Sequence, residues 1–491
     1  METRTKYVQG DQVGMENSFI GIDVGTQGVR AALVSESGMV LAEAARALVL
    51  TAESRQEQSP EEWRLKTFEV LDELMQSLTP DIDRNHILAI GVDSTSGTVI
   101  PLDKRNKPLH AALMYSDPRS AAISRECVAV AERFVSDGYT GFGASSGLAK
   151  MVWFVRTYPD KAAAIRKWVH AADYLVGQLS GVYDVTDYTN ALKSGYNVSD
   201  YRWPAYLTTH LPLQRDWLQQ VVPSGTPIGY LTDELAARWG LHRAQVIVGM
   251  TDGCASQVAS GAVKPGDWNT TIGTTLVIKG VTTTAINDPA GRLYSHRHPN
   301  GYWMPGGASN TGADWVSTDF GVDLRGLDEE AASLIPTGQL AWPLKQMGER
   351  FPFIAADAKG FVPEGLAPAE RFAASMEGVA YIERLAYELI AQLSGERPAA
   401  VYTAGGGSNS DVWLTIRSNV LNLPIYKCKE ASGAVGAAIA AASKTYYASL
   451  AEAAARMTAV ERKIEPQPAL VTAYELNYRR FIDELKKRKY I

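Results

Sequence analysis

Three short stretches of this 491-residue chain carry side chains whose types and spacing could do chemistry. The first is FIGIDVGTQG (residues 19–28), an apolar run that encloses Asp23 and breaks at Gly25-Thr26-Gln27-Gly28. Glycines lack a Cβ and tolerate positive φ, so a turn built on them can bare its backbone N–H groups to a phosphate chain. Thr26 adds a hydroxyl donor, and Asp23 is placed to hold a magnesium ion, directly or through water. A plain β-hairpin whose aspartate bonds its own turn is the other reading of these residues. The second stretch, TTIGTTLVI (270–278), repeats the pattern with Gly273, Thr274 and Thr275. Two such turns could hold a triphosphate between domains, where ligand sites tend to lie. In the third, VGMTDGCA (248–255), an apolar strand ends in Asp252 just ahead of a run of small residues. A carboxylate there can serve as a general base or merely cap the helix that follows.

A weaker signal is AGGGSNS (404–410), a glycine turn between a strand and a helix. It lacks both GxGxxG spacing and a Walker lysine, and no GxxxxGK[ST] occurs anywhere, which excludes P-loop chemistry. His296 and His298 have no third ligand at metal spacing, so no metal centre is expected there.

Regular elements must position these groups. Residues 19–50 read as strands joined by tight turns, and 87–103 as strand, small-residue turn, strand. A helix is expected over 59–78, where Ser-Pro-Glu-Glu signals its start, and the stretch 120–180 reads as helical. Further on come strand, carboxylate turn and helix (244–263), a second strand–Gly-Thr–strand unit (267–284) and an amphipathic helix (375–393). Strand, glycine turn, helix and strand follow at 399–426, then a small-residue helix at 430–443 and a polar helix that closes the chain.

The chain is too long for one core, and two domains of roughly 200–250 residues are the natural division. Hydrophobic content of 46% with 21% charge describes a globular protein, and the net charge of −6 is spread evenly. No basic block suggests nucleic acid, and no apolar stretch is long enough to span a membrane. Three cysteines far apart, none in CxxC spacing, point to a reducing compartment, hence the cytoplasm. The expected organisation is a disordered leader (1–17), domains over 18–250 and 251–446, and a helical tail (447–491).

The order of FIGIDVGTQGVRAAL, VGMTDGCA, TTIGTTLVI, TAGGGSNSDVWLTIRSNVLNLPI and EASGAVGAAIAA resembles the FGGY family of carbohydrate kinases. Lys150-Met151-Val152-Trp153 also matches that family's Lys-x-x-Trp segment. The resemblance runs from about residue 18 to 445 and implies an α/β fold of two actin-like (ribonuclease H-like) ATPase domains with a cleft between them. It implies ATP and Mg²⁺ as cofactors, with Asp23 beside the metal, and assigns Gly25, Thr26 and Gln27 to a first phosphate loop. Gly273, Thr274 and Thr275 fall on the second loop, Gly405, Gly406, Gly407 and Asn409 on the adenosine segment, and Asp252 on the base.

By the same resemblance, DSTSGT (93–98) and MYSDPR (114–119) should touch a small sugar, with Thr95, Ser96 and Asp117 accepting or donating to its hydroxyls and Asp252 facing the reacting one. A Ser-Asp-Pro turn paired with Arg119 is the alternative for Asp117. The chain lacks the Met-His-Gly turn of xylulose kinases, and TSGT, ALMYSDPRS and TDYTNALKSGYN resemble the D-ribulose kinase branch. The expected activity is phosphorylation of the terminal primary hydroxyl of a small ketose, D-ribulose first. D-xylulose, another pentulose or polyol, and a non-catalytic sugar sensor are the alternatives. A homodimer is the candidate assembly, with no residue that specifies it.

Overall fold

The computed structural model describes residues 16–321 and 324–491, so residues 1–15 of the expected leader lie outside the described residues. The chain divides into two compact units that do not follow it linearly. The first comprises residues up to Ala259 with His296–Gly301 and Glu430–Thr458; the second comprises Ser260–Ser295, Tyr302–Lys429 and Ala459–Ile491.

In the first unit a sheet runs Pro227–Tyr230, Gln245–Ile247, Ile87–Ser94, Ser18–Val24, Gly28–Ser35, Val40–Ala47. Ser18–Val24 sits between an antiparallel partner (Gly28–Ser35) and a parallel one (Ile87–Ser94), and its apolar residues are fully buried. Such unbroken apolar runs are what a strand covered on both faces requires. One covering helix is Pro60–Ser77: the Ser59 hydroxyl accepts from Glu62 N, Pro60 takes the first helical position, and Trp63, Leu71 and Leu74 are buried.

The other covering helix is Gly433–Thr445, and here the small residues explain themselves. A Cβ on Gly21 would lie 1.7 Å from the Ala434 carbonyl, one on Gly91 2.5 Å from that of Ala437, and one on Gly436 1.9 Å from that of Ala255. Helix and sheet approach at backbone distance, which only a glycine- and alanine-rich seam permits. A second, smaller sheet (Glu57–Gln58, Ala112–Leu113, Val99–Leu102, Lys167–His170) carries the segments expected to face sugar.

In the second unit the sheet runs Trp303–Ser309, Leu276–Gly280, Asp267–Ile272, Ala400–Ala404, Ile425–Cys428, Val460–Ile464. The 27-residue helix Pro368–Ser394 crosses its core, burying Phe372, Val379 and Ile382. It also carries Glu383, whose carboxylate pairs at 2.7 and 2.8 Å with the equally buried Arg417, itself a donor to Thr403. The three cysteines are buried and form no disulfide.

The helices expected over 59–78, 375–393 and 430–443 and the strands around all three chemical motifs are present. Two expectations change. Lys167–His170, inside the stretch expected to be helical, is a strand paired with Val99–Leu102, because four residues are too few to show a period. Helix Gly433–Thr445 packs within the first unit, whose N-terminal stretch runs to Ala259. The expected helical tail is interrupted: after helix Leu450–Met457 comes strand Val460–Ile464, which pairs with Ile425–Cys428, and helix Pro468–Lys487 then buries Tyr474, Tyr478 and Phe481 in the second unit's core.

Candidate active site

In the first unit the sheet brings carboxylates together at the ends of parallel strands. Asp23 stands in register with Asp93, and Asp93 with Met250 of the two-residue strand that leads into Asp252. The helix Gly433–Thr445 starts against this point: a Cβ on Gly433 would lie 3.0 Å from Asp23 Cγ and 3.1 Å from Asp93 Oδ1. Its N-terminal N–H groups and dipole therefore favour negative charge at the first two carboxyls. Asp93 is fully buried and finds no N–H or O–H donor among the described residues. Two facing carboxyls satisfy one another only by sharing a proton. Burial, with the charges of Asp23 and Asp252 added, accordingly holds Asp93 well above the usual carboxylate range. Burial also raises Asp23, although less: Asp252 adds to the rise, while Asp93 as a hydrogen-bonding partner and Arg30 as a cation oppose it.

Asp23 lines a cavity of about 940 Å³ with Gly25, Thr26, Gln27, Arg30, Tyr115 and Ser116. The hairpin turn is tight, with Gly25 N donating to Gly28 O at 3.0 Å. Neither glycine needs positive φ, contrary to the expectation; Gly28 is required because a Cβ there would lie 2.7 Å from the Arg46 carbonyl. The carbonyls of Thr26 and Gln27 are tied to Gln58 Nε2 and Leu48 N. That leaves their N–H groups and the Thr26 hydroxyl without a protein partner among the described residues, which suits a phosphate ligand. Arg30 was not singled out from the sequence, yet hairpin register sets it opposite Asp23. Counting residues across the Gly25–Gly28 turn would have found it.

The expected sugar residues divide. Ser96 has a buried hydroxyl without a partner among the described residues, as a substrate contact would. Thr95 instead bonds Thr98 at 2.8 Å. Asp117 is 1% exposed and both its oxygens accept from Arg119 at 2.9–3.1 Å, the pairing that a Ser-Asp-Pro turn offers. Arg119 also reaches Glu57 at 2.6 Å and stacks 4.6 Å over Trp153, of the Lys-x-x-Trp segment. The lysine of that segment, Lys150, is fully buried and donates to the carbonyls of Ala144 and Asp117. Burial drives it down to about 8; Asp117 opposes the fall, and Lys193 and Arg119 reinforce it. Lys193 lies beside the Gly97 turn, its Cδ 3.6 Å from where a Gly97 Cβ would sit.

In the second unit the parallel pairing of Asp267–Ile272 with Ala400–Ala404 sets two turns side by side, Gly273–Thr275 and Gly405–Asn409. Gly273 N closes the first on Thr275 O at 3.0 Å. Gly405 has φ +84°, and a Cβ would meet the Ile272 carbonyl at 2.5 Å; Gly406 is open on its outer side, with nothing within 4 Å. The sheet thus joins the two stretches that sequence alone left 130 residues apart, roughly speaking, and presents a bare glycine surface of the kind a flat ligand can lie on. Asn409 accepts from Lys427 at 3.3 Å.

The family model of the N-terminal domain of FGGY carbohydrate kinases matches residues 18–259, and that of the C-terminal domain matches 268–445. The chain belongs to the FGGY family of carbohydrate kinases. A xylulose kinase of Bacillus subtilis is 25% identical over 486 residues, covering 93% of this chain and 94% of its own. A gluconokinase of Bacillus licheniformis is 25% identical over 432 residues, 83% of each. Among solved structures, a xylulose kinase from Brucella ovis superposes with a TM-score of 0.85 at 26% identity, covering 96% of this chain and 99% of that one. A xylulose kinase from Rhodospirillum rubrum gives 0.84, also at 26% identity and the same coverage. This FGGY kinase is therefore a sugar phosphotransferase with the family's two-domain α/β fold, and it uses ATP. Among the described residues no helix is long and apolar enough to cross a membrane.

Proposed function

We propose that this kinase transfers the γ-phosphoryl group of ATP to the terminal primary hydroxyl of a small ketose, D-ribulose first, giving D-ribulose 5-phosphate. The observation that carries the reading is the placement of Asp23 and Asp252 at the ends of the two strands that flank Ile87–Ser94 in parallel, beside a glycine turn with unpartnered N–H groups among the described residues. Asp252 takes the proton from the sugar hydroxyl as its oxygen attacks phosphorus in line, and no covalent enzyme intermediate is formed. Thr26, the turn N–H groups and Arg30 bind phosphate oxygens, and Ser96 bonds the sugar. In the second unit Gly273, Thr274 and Thr275 bind phosphate, and Gly405–Gly407 with Asn409 take the adenosine.

Asp23 would hold magnesium, which supplies charge neutralisation at the phosphates when bound. Magnesium binds through one or two carboxylates plus water and phosphate oxygens, and Asp23 lines the cavity onto which the Gly25–Gly28 turn opens. The choice of D-ribulose over D-xylulose rests on the TSGT turn in place of Met-His-Gly; the relatives named above are xylulose kinases and gluconokinases. One observation favours a second reading. Lys193 beside the Gly97 turn would suit a sugar acid, whose carboxylate it could pair with.

The test is ATP-dependent ADP release against D-ribulose, D-xylulose, other pentuloses, ribitol, glycerol and gluconate. The highest kcat/KM is expected with D-ribulose; a clear preference for gluconate establishes the second reading instead. Asp252→Asn is expected to fold and to lose about 10²- to 10⁴-fold in kcat. Wild-type turnover in that variant removes Asp252 from the mechanism.

A further inference from the structure

The strand that delivers Asp252, Met250–Thr251, is only two residues long, so ladder pairing alone is a weak restraint on the base. A second restraint comes from a buried polar chain behind it. Asp187, fully buried, ends the strand Val185–Asp187 and caps the turn that follows. Its Oδ1 accepts from Asn190 N (3.0 Å) and Nδ2 (2.8 Å), and its Oδ2 from Thr189 N (2.9 Å), Thr189 Oγ1 (2.7 Å) and the Ser224 hydroxyl. With its proton committed to Asp187, the Thr189 hydroxyl has only acceptor capacity left. It uses that to accept from the backbone N–H of Thr251 at 3.0 Å. The next residue is Asp252, whose Oδ1 accepts from Gly253 N at 2.6 Å as the helix Asp252–Ala259 begins.

We propose that Thr189, oriented by Asp187, is a positioning residue that fixes the backbone carrying Asp252 at the angle the proton transfer needs. The inference rests on Asp252 being the base. The chain is directional: Asp187 accepts only, which forces the hydroxyl proton one way and the lone pair toward Thr251. Ser224, on a separate loop, locks the same carboxylate. Without the hydroxyl the Thr251 N–H is a buried donor with no acceptor, and the peptide preceding the base can rotate to find one. A base displaced by a fraction of an ångström from its proton loses rate, whereas binding of a sugar held by other residues is little affected.

The test is a double-mutant cycle on kcat and sugar KM with Thr189→Val, Asp252→Asn and the pair. Thr189→Val is expected to lower kcat by about ten- to a hundredfold, the scale that a displaced reacting group implies, with sugar KM changed less than about threefold. Thr189→Ser, which keeps the hydroxyl, is expected to restore kcat to within about threefold. In the Asp252→Asn background Thr189→Val should cost nothing more, since there is no base left to misplace. If Thr189→Val folds poorly, Ser224→Ala, which removes one donor to Asp187, is expected to lower kcat by about two- to fivefold with KM unchanged. Wild-type kcat in folded Thr189→Val, or an equal loss in both backgrounds, overturns the positioning role while leaving the base in place. Wild-type turnover of Asp252→Asn overturns the base and the positioning role together.

Discussion

Burying Lys150 carries a cost that can be read directly as a pH dependence of stability. Its ammonium is fully buried, and its acceptors among the described residues are two backbone carbonyls, of Ala144 and Asp117, rather than a carboxylate. Burial brings it from 10.5 to about 8. At about 1.4 kcal/mol per unit, the charged form costs the folded state roughly 3 kcal/mol relative to the unfolded chain. The sign follows from proton counts. Below pH 8 both states are protonated and the full penalty stands. Between about 8 and 10.5 the folded state has lost the proton that the unfolded state still binds, so stability rises with pH. Lys150→Met removes this titration. The stability of wild type relative to Lys150→Met should therefore climb by roughly 2–3 kcal/mol from pH 7 to 10, whatever its value at pH 7. That starting value is itself a balance, because the methionine relieves the buried charge and leaves two carbonyls without a donor. Urea unfolding of both proteins at several pH values, monitored by tryptophan fluorescence, measures the difference. Parallel profiles would show that the ammonium reaches water or a countercharge and would refute the argument.

Two further outcomes follow from the same geometry. Arg30→Ala should reduce kcat/KM for ATP by about tenfold or more, with Arg30→Lys intermediate, because a charged donor beside Asp23 and the bare turn is removed; steady-state kinetics with an unchanged kcat/KM would exclude Arg30 from phosphate binding. Gly21→Ala should abolish soluble folded protein or lower its stability by more than about 4 kcal/mol, since the new methyl would sit 1.7 Å from the Ala434 carbonyl; a melting temperature within a few degrees of wild type would mean that helix and strand can separate cheaply.

Much of this kinase was legible in its sequence because the signals are local. The Asp–Gly–Thr hairpin, the Ser-Pro-Glu-Glu helix start and the strand–turn–helix around Asp252 each lie within about twenty residues, where chain geometry alone restricts the outcome. The order of these pieces was enough for the family and the two-domain fold. What the sequence left undecided turns on partners distant in the chain. Asp93 read as part of a sugar segment, but parallel pairing with Ser18–Val24 sets it against Asp23 instead. Asp117 read as a sugar ligand or as a turn paired with Arg119, and only the fold shows that it is buried with that arginine as its countercharge. The helix Gly433–Thr445 follows the second unit's strands in the chain but packs on the first unit's sheet, because Gly21 and Gly91 offer the backbone-close seam its small residues need. Thr189 entered only as one letter of TDYTNALKSGYN, with no role of its own, since a hydroxyl's role depends on which donor and acceptor lie on either side of it. Local types and spacings thus determined which chemistry the chain carries, whereas only the tertiary structure decided which groups are buried, paired and close enough to take part.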